Sequence, residues 1–71
     1  MDFNWVDGFT ISVREEDGAV VIAANRAGLQ SLANHLLMLD EQDGSSHFHL
    51  DQHNSLEEGS LELIVEKTAE E

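Results

Sequence analysis

The run His47-Phe48-His49-Leu50-Asp51 gathers more chemically capable side chains than any other stretch of this sequence. In an extended chain, residues two apart share a face, so His47, His49 and Asp51 project together while Phe48 and Leu50 turn the other way. Two neutral imidazoles beside a carboxylate make a partial shell for zinc or nickel, and His53 offers a further nitrogen. A structural zinc site needs four firm ligands, and this spacing does not specify the last of them. The same residues also read as a solvent- or partner-facing row whose imidazoles exchange protons and hydrogen bonds with nearby acids. A hydrolytic reading makes His49 a general base, Asp51 or Glu57 its orienting carboxylate, and Ser55 the nucleophile. No phosphate loop or strand-to-helix elbow accompanies them, and a chain of 71 residues has little core in which to enclose a pocket. The expectation is a protein that is not an enzyme and needs no cofactor.

The elements that must position this row can be read from period and punctuation. Phe9-Thr10-Ile11-Ser12-Val13-Arg14 alternates apolar and polar, as a half-buried strand does. Asp17-Gly18 signals a two-residue hairpin turn into Val20-Val21-Ile22. That loop sets Val13 opposite Ile22 and Ile11 opposite Ala24, all on one face. Asn25 is suited to cap a helix, and Leu29, Leu32, Ala33, Leu36 and Leu39 then form one stripe at helical spacing. On that wheel His35 is a boundary flank, and Leu37 and Met38 point away as scattered apolar residues or as a contact. Gly28 in the first turn is either slack or a point of close approach to a strand. The helix should stop between Glu41 and Gly44. A short strand with Phe48 and Leu50 in the core follows, then a loop, then a last strand with Leu61, Leu63 and Val65 inward. The order is ββαββ: an α+β domain with one helix on a mostly antiparallel four-stranded sheet, the third strand parallel to the second through a right-handed crossover. Residues 1–71 are expected to form one domain. Phe3 to Val6 would supply an extra strand or arm over residues 1–8, and residues 68–71 a frayed acidic tail.

Charge restricts the partners. Fifteen acids against three bases give a formal −12, and residues 40–71 hold ten of those acids with Lys67 their one base. Sequence-independent nucleic-acid binding requires clustered Lys and Arg, so no nucleic acid is expected, and an anionic membrane would repel the chain. No apolar run is long enough to span a bilayer, and no secretory signal opens the sequence. The reading is cytoplasmic. With no cysteine, thiolate zinc sites and disulfides are excluded. The acidic balance serves solubility, or steers a basic partner inward.

From Ala24 to Lys67 the sequence resembles the immunity protein 32 family, small bacterial proteins found beside polymorphic toxins. Ala24-Asn25-Arg26-Ala27-Gly28-Leu29 carries the likeness into Leu32-Ala33 and Leu36-Leu37. His47-Phe48-His49-Leu50-Asp51, the loop Asn54-Ser55-Leu56-Glu57-Glu58-Gly59-Ser60 and Glu62-Leu63-Ile64-Val65-Glu66-Lys67 complete it. The histidine strand followed by that loop is its specific part. The resemblance implies a non-enzymatic antidote that binds and blocks one cognate toxin, and it transfers no catalytic residue. A toxin with a basic surface, such as a nuclease, would suit the charge. His47, His49, Asp51, Leu56, Glu57 and Glu58 are the expected contact residues, on a monomer or homodimer. The other reading is a small metal-binding or interaction module using His47, His49, Asp51 and His53.

Overall fold

The computed structural model describes residues 4–69. Strands β1 (Ile11–Glu16) and β2 (Ala19–Ala24) precede helix α1 (Arg26–Asp40), and β3 (Ser46–Leu50) and β4 (Leu63–Lys67) follow it. The α+β class and ββαββ order are as expected. So is the hairpin register, with Val13 opposite Ile22 and Ile11 opposite Ala24. Asp17 and Gly18 both take positive φ, 51° and 83°. That is the backbone a type I′ turn demands and the reason Asp-Gly occupies it.

The four strands fall into two antiparallel ribbons, β1–β2 and β3–β4, rather than one sheet with β3 beside β2. The loop between β3 and β4 explains the division. The Glu57 N–H donates to the Ile11 carbonyl at 2.8 Å and the Leu61 N–H to the Val13 carbonyl at 2.9 Å. The Ser60 hydroxyl accepts from the Val13 N–H at 3.2 Å. This segment therefore occupies the outer edge of β1. Its donors lie four residues apart while their acceptors lie two apart, so the surplus folds out at Glu58-Gly59 and no regular ladder forms. Leu61, expected inward on the last strand, is exposed in this irregular stretch, and β4 begins at Leu63.

Asn25 caps α1 as its residue type predicts. Its Oδ1 accepts from the Gly28 N–H at 2.7 Å and the Thr10 N–H at 3.0 Å, and its Nδ2 donates to the Gly8 carbonyl at 2.9 Å. The chain before β1 is thereby tied to the start of the helix. At the other end Glu41 is the C-cap. No basic residue stands in the last turn, but Lys67 of β4 supplies one: its Nζ donates to the carbonyls of Asp40 at 2.7 Å and Gln42 at 2.6 Å.

The buried face of the helix is rotated away from the leucine stripe and shares only Leu32 and Leu39 with it. Gly28, Ser31, His35 and Leu39 are buried and Leu32 partly so, whereas Leu29, Ala33 and Leu36 are exposed. Close approach decides the rotation. A Cβ on Gly28 would run into the Thr10 carbonyl and crowd Ala24 and Ile11, so this face lies against the start of β1. One helical turn on, the Ser31 hydroxyl accepts from the Val6 N–H at 2.8 Å. Next comes His35, fully buried between Trp5 and Phe48, not the flank residue its wheel position implied. Met38 is partly buried and Leu37 exposed. Residues 4–8 form no strand; Asp7-Gly8 turns the chain and Trp5 stacks on Phe9 with ring centres 4.4 Å apart. Phe3 and the end of the acidic tail, Glu70 and Glu71, lie outside the described residues. The core is Ile11, Val13, Leu39, Phe48, Leu50 and Leu56, with Trp5, Phe9, Ala24, Leu32, Leu63 and Val65 against it.

Candidate partner-binding surface

Alternation along β3 buries Phe48 and Leu50 and leaves His47 and His49 exposed, as the pattern predicted. Their rings meet nearly edge to face, with centres 4.8 Å apart. Across the ribbon, His47 lies opposite Glu66 and His49 opposite Ile64. Directly opposed residues of an antiparallel pair point to the same side. His47, His49, Ile64 and Glu66 therefore share the outward face. Glu62 joins them, its carboxylate 3.1 Å from Nδ1 of His49. Both partners are about half exposed, so the pair fixes orientation more than it adds stability.

Asp51 does different work. Its carboxylate accepts from the N–H groups of His53 at 2.8 Å and Asn54 at 3.1 Å, while its own N–H donates to the Asn54 side chain at 3.0 Å. Its carbonyl also accepts from Ser55 and Leu56 N–H groups. Asp51 thus closes the turn that leaves β3, with its oxygens committed to backbone, and His53 is carried into that turn. Among the described residues, no three His, Asp or Glu side chains converge to hold a metal ion. The grouping of His47, His49, Asp51 and His53 is therefore not assembled.

The hydrolytic arrangement is not assembled either. The Ser55 hydroxyl donates to the Asn54 side chain, and the His49 imidazole faces Glu62. No pocket opens among the described residues. In the loop, Leu56 turns inward and packs in the core, whereas Glu57 and Glu58 are exposed. The Gln52 side chain accepts from the Gly59 N–H at 2.9 Å and braces the loop. What the geometry offers is a surface: imidazoles and carboxylates around one apolar side chain, Ile64, which is 52% exposed.

A family model described as Immunity protein 32 matches residues 19–68. That is well over half the chain. The chain belongs to the immunity protein 32 family. The match begins at β2 and runs through α1, β3 and β4, so β1 and the Trp5 arm lie outside it. An immunity protein has, in general, a toxin as its partner and no catalysis of its own. Searches of curated proteins and of solved structures gave no match. No helix in the described residues is long and apolar enough to cross a membrane.

Ile64 is the surface residue that the sequence reading passed over. The signal was present: in Glu62-Leu63-Ile64-Val65-Glu66 the alternation puts one large apolar side chain outward between two acids. Exposed single hydrophobics are common, so the pattern alone does not separate a contact from an ordinary surface residue. The histidines opposite it are what make the position informative.

Proposed function

We propose that this immunity protein neutralises a cognate toxin of a bacterial polymorphic system by binding it in the cytoplasm. The docking surface is the outward face of β3–β4, His47, His49, Ile64, Glu62 and Glu66, extended by Glu57 and Glu58 of the loop. The toxin surface it suits is basic, as that of a nuclease is. One observation carries the reading: Ile64 stands exposed with histidines across from it and acids on either side in sequence. A desolvated apolar centre within a charged rim is the usual anatomy of a protein interface. The rim steers encounter, and the centre sets residence.

The test is stopped-flow association with the toxin encoded beside this gene, at several salt concentrations. Glu57→Lys with Glu58→Lys should slow association about 10-fold at low salt and flatten its salt dependence. Ile64→Asp should chiefly speed dissociation. If all these variants bind at unchanged rates, this face is not the docking surface.

A further inference from the structure

The solvent side of α1 carries apolar surface that neither the core nor the toxin-binding face uses. Leu29, Leu36 and Leu37 are 56%, 45% and 61% exposed, and Ala33 among them is exposed as well. At about 100° per residue, these four and the charged residues Arg26 and Asp40 fall within an arc of about 100°. The arc looks away from the buried side, Gly28, Ser31, His35 and Leu39. Along it Arg26, Leu29, Ala33, Leu36 and Asp40 follow the alternating three- and four-residue spacing of a helix-packing seam.

The charges on this face are symmetric about its centre. Arg26 precedes Ala33 by seven residues and Asp40 follows it by seven. Both lie within about 20° of Ala33 around the helix. Each stands at the wrong end for its own helix dipole, with the cation at the amino end and the acid, beside Glu41, at the carboxyl end. Lys67 reaches that carboxyl end, but its Nζ bonds backbone carbonyls there. Arg14 is paired with Glu16. Among the described residues, Arg26 is the base whose side chain has no hydrogen bond or ion pair.

We propose that two copies of this chain associate through this face, helix against antiparallel helix about a twofold axis at Ala33. Equal spacing then sets Arg26 of each copy level with Asp40 of the other and beside its Glu41. Leu29 meets Leu36 of the other copy, and Leu37 lies along the stem of its Arg26. The small Ala33 pair at the axis permits close approach of the two backbones. Each helix end gains the opposite charge that its own helix does not supply. The charge pattern selects both the occupant and its direction. A parallel pair would set Arg26 against Arg26 and Asp40 against Asp40, and a basic toxin surface would meet a cation at one end of the face. The formal −12 of each chain opposes self-association, a repulsion that salt screens beyond about 8 Å while the paired charges stay in contact. A seam about 22 Å long buries little area, which places the complex among weak, concentration-dependent interfaces. The helix face is separate from the outward face of β3–β4, so this inference does not rest on the toxin-binding reading.

Sedimentation velocity on the full chain, from low micromolar to near-millimolar concentration at physiological salt, tests it. The mass should rise from 7.9 kDa toward twice that value. Leu29→Ser with Leu36→Ser changes two exposed positions, so the fold should persist by circular dichroism while association weakens about 10-fold or more. Asp40→Arg separates local pairing from net charge. It makes the chain less acidic, yet should weaken association several-fold by opposing Arg26 with a second cation. Adding Arg26→Asp returns the net charge to the wild-type value, reverses both pairs and should restore association. A chain that stays at 7.9 kDa throughout, a dimer that withstands the two serines, or a double exchange no better than Asp40→Arg alone overturns the proposal.

Discussion

The rings of Trp5 and His35 stand perpendicular, with centres 4.0 Å apart. His35 in turn faces Phe48 at 5.7 Å, so a titratable group sits inside an aromatic stack that joins the opening arm to β3. Burial disfavours its charged form and lowers its pKa below the ordinary histidine value of 6.5.

The sign of the pH dependence follows. Below pH 6.5 the unfolded chain takes up a proton that the folded chain resists, so acid favours unfolding. Stability from this site is complete above pH 6.5 and declines as pH falls through the lowered value. The slope is at most about 1.4 kcal/mol per pH unit for one proton. Urea melts between pH 7.5 and 5 should show it, and His35→Leu should flatten the profile. An unchanged profile in that variant would remove His35 as the cause.

Gly28→Ala should destabilise despite improving helix propensity. Alanine gains up to about 1 kcal/mol over glycine within a helix. Here its methyl group would meet the Thr10 carbonyl, Ala24 and Ile11, none of them a flexible chain end. Overpacking costs typically about 1–3 kcal/mol, so a net loss of about 1–2 kcal/mol is expected, read as a lower urea midpoint. A raised midpoint would mean the helix can back away from β1.

Asn25→Ala removes both acceptances and the donation to Gly8. The loss should be about 2 kcal/mol, at the upper end for a helix cap. Asn25→Asp keeps the acceptor for Gly28 and Thr10 and loses only the donor. It should fall between wild type and alanine in thermal melts; equal losses would show that the contact to Gly8 dominates.

These contacts also explain how far the sequence could be read. The hairpin was legible because Asp17-Gly18 and the flanking alternation are local signals that agree, and the outward histidines followed from the same period. The helix was legible in extent but not in rotation. Leu29, Ala33 and Leu36 outweigh Gly28, Ser31 and His35 in hydrophobicity, yet contacts with Thr10, Val6 and Trp5 select the less apolar face. Those contacts span roughly 20 to 30 positions, beyond what a periodicity window detects. Asp51 was misplaced for the opposite reason: a local Asx-type turn claimed a carboxylate that strand spacing would have sent outward.

Lys67→Met should cost about 1 kcal/mol, because it removes the only cation at the carbonyl end of α1 among the described residues. Its Nζ contacts Asp40 and Gln42 from a neighbouring strand. Urea midpoints at low and high salt should converge for wild type and variant if charge on the helix dipole matters. A loss independent of salt would assign the effect to the hydrogen bonds alone.

The covering of β1 by Glu57–Leu61 sets an order on biosynthesis. A ribosome delivers the hairpin and the helix first, yet the carbonyls of Ile11 and Val13 are met only when a stretch nearly fifty residues later has left the exit tunnel. A β1–β2 hairpin that formed before then would have both edges open, which is an invitation to mispairing. Closing that long loop is also a slow, non-local step, so the folding rate of the released chain should respond to changes at Glu57–Leu61 more than to changes in the early hairpin turn.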